Sequence, residues 1–126
     1  MRARNPLLAS LALVCLLGAA ACGGDDDDAG DAGGGTEVAV TGTDKACTPA
    51  ATELAAGKTT FVFTNKAPDV SEIYVYSGSK VVKEVENVLS GQSKKLTVTL
   101  EAAKTYKLTC KPGQKGDGFS TEVTVK

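Results

Sequence analysis

Residues 36–126 predict an all-β sandwich of seven or eight short, mostly antiparallel strands, and three observations carry that expectation. Apolar and polar residues alternate with a period of two through one segment after another, which is the pattern of strands with one buried face. Turn-forming clusters such as Ala56-Gly57-Lys58, Lys66-Ala67-Pro68-Asp69, Ser77-Gly78-Ser79 and Ser90-Gly91-Gln92 interrupt the alternation at close spacing. Helical periodicity is almost absent, and the stretches between strands are too short for crossover helices. Many short strands, each with one apolar face, bury those faces most simply by stacking two sheets.

Taken in order, Val38 and Val40 alternate with Glu37, Ala39 and Thr41 to give a first strand. A short piece at 52–54 is a possible further strand. Residues 58–65 place Phe61 and Phe63 on one face, and 70–76 and 80–86 give two more strands. The alternation is cleanest at 94–100, where Leu96, Val98 and Leu100 point inward against Lys95, Thr97 and Thr99. Residues 104–110 put Tyr106, Leu108 and Cys110 on the inner face, and 119–125 close the fold with Phe119, Val123 and Val125 inward. Glu84 and Glu86 are expected to face water, and the Tyr74–Tyr76 pair is expected to pack across strands.

The N-terminal third is of a different kind. Arg2 and Arg4 precede an apolar run of 15 residues at 7–21, shorter than the roughly 20 needed to span a bilayer, which ends in Ala19-Ala20-Ala21-Cys22. Residues 1–21 therefore read as an export signal. The Cys22 context is similar to a bacterial lipobox, with Ala19 where Leu is most common, so Cys22 is the expected lipid anchor. An ordinary secretory signal cut at the same place is the alternative. Residues 23–35 contain only Gly, Asp and Ala. With no apolar group to offset ordering entropy, they read with Cys22 as a linker (22–35) reaching roughly 20 Å. The Asp25–Asp28 run has no turn that would converge its carboxylates on a calcium ion, and reads as solvated charge.

Together these features predict a membrane-anchored extracytoplasmic location for one domain at 36–126. Its 12 Lys and 10 Asp or Glu leave a small net charge, and Arg occurs only at positions 2 and 4, so no nucleic-acid partner is indicated. The sequence has no His, and no Ser or Thr is set beside a base, so catalysis is not expected.

Two cysteines remain in the domain, Cys47 and Cys110. In an exported protein they form either a disulfide, closing a loop of about 64 residues, or part of a metal site. They are not in a Cys-x-x-Cys arrangement, which disfavours a redox-active dithiol.

The order of motifs resembles the EfeO-type cupredoxin-like domain. It runs from residues 38–43 and Cys47, through Leu54-Ala55-Ala56-Gly57-Lys58-Thr59-Thr60-Phe61-Val62-Phe63-Thr64-Asn65 and Ser71-Glu72-Ile73-Tyr74-Val75-Tyr76, to Cys110-Lys111-Pro112-Gly113 with Gly116-Asp117-Gly118. The resemblance implies a cupredoxin-like Greek-key β-sandwich. Blue copper needs two His, a Cys and usually an axial Met. Here Glu72 and Gly113 stand where the His would be and Gly118 lies in the Met region, so that chemistry is excluded. What the resemblance does imply is an iron or copper ion held by Cys47, Glu72, Cys110 and Asp117. The role implied is an accessory to metal uptake or handling beside a transport partner. EfeO-type proteins continue into a larger helical domain, so a stand-alone module is expected here. A disulfide-stapled interaction or structural lipoprotein without metal is the competing expectation.

Overall fold

The computed structural model describes residues 35–126, so the expected export signal at 1–21, Cys22 and nearly all of the expected linker lie outside the described residues. Nine strands form: β1 (Thr36–Gly42), β2 (Cys47–Pro49), β3 (Glu53–Leu54), β4 (Gly57–Asn65), β5 (Ser71–Ser77), β6 (Lys80–Val88), β7 (Ser93–Leu100), β8 (Thr105–Pro112) and β9 (Phe119–Val125). They build a four-stranded sheet, β2-β1-β4-β7, and a five-stranded sheet, β3-β9-β8-β5-β6. The two-residue β3 lies in the expected piece at 52–54, and the count exceeds the expected seven or eight by β2, which pairs with β1 on a sheet edge. Pairing is antiparallel except between β1 and β4 and between β3 and β9. Among the described residues no helix is long and apolar enough to cross a membrane.

The period-two pattern produces the core directly. Val38, Val40, Phe61, Phe63, Leu96 and Leu100 of the first sheet face Ile73, Val75, Tyr106, Leu108 and Val123 of the second, all nearly inaccessible to water. Tyr106 is buried without loss because its hydroxyl accepts the Glu101 amide at 3.0 Å. Val98 is partly buried at the margin of this core. Phe119 departs from expectation: it has the parity of Val123 and Val125 but remains 38% exposed. It is the first residue of β9, opposite Cys110, where the sheet runs out.

The loops at one end of the sandwich are tied together by Asn65, the last residue of β4. Its side-chain amide donates to the carbonyls of Asp69 (2.8 Å) and Val88 (2.9 Å), and its Oδ1 accepts the Ala67 amide at 2.9 Å. Its backbone N–H donates to Gln92 and its carbonyl accepts from Gly91. Fully buried and fully bonded, Asn65 fixes the β4–β5 and β6–β7 connections beside the cysteines.

Candidate functional site

The two cysteines are joined. Cys47 on β2 and Cys110 on β8 form a disulfide between the sheets, with Cα atoms 5.3 Å apart and almost no exposure. Both positions follow from strand parity. Cys110 shares the inward face of β8 with Tyr106 and Leu108, and Cys47 pairs with Gly42 at the end of β1. Gly42 leaves room for this arrangement, since a Cβ there would meet the Phe63 ring at 2.5 Å and the Cys110 sulfur at 3.4 Å. Thr121 Oγ1 donates to the Cys47 carbonyl at 2.6 Å, fastening β2 to β9.

Glu72 lies at the same end but on the other side of the sheet. Across β5 and β8, Ile73 is paired with Cys110 and Glu72 with Lys111. Residues opposite each other share a face, so Cys110 and Ile73 point into the core while Glu72 points outward with Tyr74 and Tyr76. The sequence carried this signal: Glu72 alternates with the apolar Ile73 and Val75. Despite its outward direction Glu72 is only 7% exposed. Its carboxylate interacts with the Tyr74 phenol and favours the protonated form of that group. Asp117 is exposed, in the loop between β8 and β9. The four residues implied as ligands thus divide into a sulfur pair inside the sandwich and two carboxylates outside it. Among the described residues no three or more His, Cys, Asp or Glu side chains are grouped to hold a metal ion.

Tyr74 and Tyr76 are consecutive on the outer face of β5, their rings stacked at 5.8 Å and 25°. They pack along one strand and not across two, and each carries a lysine from β8. The Lys111 ammonium lies 4.6 Å from the Tyr74 ring centre and that of Lys107 lies 5.0 Å from Tyr76. Such contacts are worth about 0.5–1 kcal/mol each at exposed sites. Glu84 pairs with Tyr74 from β6 and, like Glu86, faces water as expected.

Partial burial, the hydrogen bond to Glu72 and the nearby charges of Glu72, Glu84 and Glu86 push the Tyr74 phenol up to about 12, from 10.0. A raised phenol favours the protonated form in the folded state, so its contribution is complete below the unfolded value and is lost as pH rises through about 12. Tyrosinate absorbance should therefore show a late-titrating component that disappears in Tyr74→Phe; a variant that keeps it would refute the contact with Glu72.

The Cys110-to-Gly118 loop folds back on its own first residue. Gly113, Gly116 and Gly118 all have positive φ. At Gly118 (φ +71°) a Cβ would also strike the Cys110 carbonyl oxygen and the Lys111 side chain. Gly118→Ala is expected to cost about 2–4 kcal/mol from left-handed strain and overlap together. Denaturant unfolding would measure it, and a change below about 1 kcal/mol would show that the loop relaxes freely. The glycines of the motif are explained by backbone geometry.

Comparison with known proteins agrees with this architecture. A family model described as a cupredoxin-like domain matches residues 7–125. The chain belongs to the cupredoxin-like domain family. Among solved structures, this cupredoxin-like sandwich is similar to reduced auracyanin from Roseiflexus castenholzii, with a TM-score of 0.57 and 17% identity over 75% of this chain and 99% of that one. It is also similar to auracyanin B, with a TM-score of 0.57 and 18% identity over 72% of this chain and 88% of that one. At such identities the likeness speaks for the fold alone. Within the family the domain is of the EfeO type. It is 39% identical over 74 residues to the iron uptake system component EfeO of Escherichia coli strain K12, and equally to that of Shigella flexneri. That alignment covers 59% of this chain and 20% of EfeO.

Proposed function

We propose that this cupredoxin-like domain is an extracytoplasmic, non-enzymatic module, anchored to the cell membrane through lipid on Cys22, that handles iron or copper as cargo for an uptake partner. The observation that carries the reading is the 39% identity to a component of an iron uptake system. The implied ligand set does not fit a single centre in the disulfide-bonded form. Cys47 and Cys110 have no free thiolate, and Glu72 lies across the sheet from them. The donors left for a cargo ion are the oxygens of Glu72 and Asp117, and oxygen donors suit ferric iron better than copper(I).

The buried bridge favours a second reading, a disulfide-stapled interaction lipoprotein that carries no metal. Free-thiol assay and metal titration of the same oxidised and reduced samples separate the two. Binding of ferric or cupric ion that weakens at least about tenfold in Glu72→Ala, a loss of about 1.4 kcal/mol, supports the first. No binding in either redox state would leave the structural lipoprotein.

A further inference from the structure

Glu72 is more deeply covered than its place on an outer sheet face requires. Tyr74 and Tyr76, of the same parity on β5, are half-buried, whereas Glu72 is 7% exposed. A charge so far removed from water is costly unless other groups of the protein offset it. Two side chains are placed to do so. Lys111 stands directly opposite Glu72 across β5 and β8, and side chains so paired have Cβ atoms within about 5.5 Å. Tyr74 is the next outward residue along β5, and its phenol interacts with the Glu72 carboxylate. The tyrosine is itself held in place. Its ring stacks on Tyr76 at 5.8 Å, and the Lys111 ammonium lies 4.6 Å from its centre. Glu84, opposite Tyr74 on β6, and Glu86 act on the same phenol, and Lys94 is bonded to the Glu86 carbonyl. A cation approaching Glu72 therefore meets carboxylates as well as Lys111.

We propose that Tyr74 and Lys111 form a cap over Glu72 that competes with the cargo ion for its carboxylate. The cap rests on the metal-handling reading above and says how that site is regulated. Without an ion, the cap offsets the charge of Glu72 and shields it from water. A metal ion that bonds the carboxylate takes the place of the phenol, and its charge drives the Lys111 ammonium away. The ion is therefore bound less tightly than its oxygen donors alone would hold it, and mostly by faster release. That suits a carrier that must pass its cargo on. The cap also has a definite sign. Removing a competitor tightens ion binding, whereas removing a ligand weakens it.

Calorimetric titration of the oxidised full-length chain with cupric ion and with ferric nitrilotriacetate tests this. Tyr74→Phe should tighten ion binding at least about fivefold, and Lys111→Gln by a similar factor. Each should also lower the thermal midpoint of the ion-free chain, because the empty Glu72 carboxylate loses a partner. A fold that is merely loosened would not bind its ion more tightly. Lys111→Arg, which keeps the charge and the ring contact, should restore the parental affinity. Weaker binding in Tyr74→Phe would make the phenol a ligand and overturn the cap. Unchanged affinity in both variants, beside a parent that loses binding with Glu72→Ala, also overturns it and leaves the metal-handling reading standing. No binding in the parent or in either variant overturns both. Binding that emerges only in the variants supports the cap most directly.

Discussion

Replacement of Cys47 and Cys110 together by Ala is expected to lower the unfolding free energy by about 4 kcal/mol, the chain-entropy value for a closed loop of about 64 residues. That is a large share of the total for a domain this size, where about 5–14 kcal/mol is usual. The thermal midpoint should fall by about 20 °C. The bridge matters more than its loop length suggests because of where it sits. Cys47 belongs to a three-residue edge strand held to β1 by short pairing, and the disulfide ties that strand to the central β8 of the opposite sheet. Calorimetry of the double variant would measure the effect, and a midpoint within a few degrees of the parent would show that the sheets are held by packing alone. The alanine pair is the informative variant, because single replacements leave a free thiol able to form mixed disulfides.

Asn65→Ala is expected to cost about 3–4 kcal/mol, since it strands the Ala67 amide and the carbonyls of Asp69 and Val88 inside the protein. Asn65→Asp makes a sharper test. A carboxylate can still accept from Ala67, but it has no donor and is pressed against two carbonyl oxygens, so it should destabilise at least as much as Ala at neutral pH. Denaturant unfolding of the pair decides the point. Asp better tolerated than Ala would mean that the two amide donations contribute little.

The strands were legible because alternation is a local property. Leu96 and Leu100, Tyr106 and Leu108, and Val123 and Val125 declare their faces within a few residues, and the inward direction of Cys110 follows by parity. What the sequence could not show is non-local. Nothing local distinguishes β2, three residues ending in proline, from a loop, and its strand character comes from pairing with β1. Phe119 has the correct parity, but burial also needs a facing neighbour. At the site, motif order suggested that Cys47, Glu72 and Cys110 converge, because a motif gives sequence position and not sheet face. The alternation of Glu72 with Ile73 and Val75 held the correction. The roles of Asn65 and Gly118 depend on what lies against them, and that became visible only in the fold.

The position of β9 has a consequence for how the molecule comes into being. β9 lies between β8 and β3, and its closing hydrogen bonds reach back to Thr52 and Leu54. Residues 53–54 have no other neighbour in their sheet, so they wait for the last strand to be delivered. A polypeptide emerging from the ribosome therefore cannot complete this sheet until synthesis has passed residue 125, and contacts so distant along the chain close slowly. During that interval residues 53–54 have no strand to pair with, and the five-stranded sheet stays open between β3 and β8.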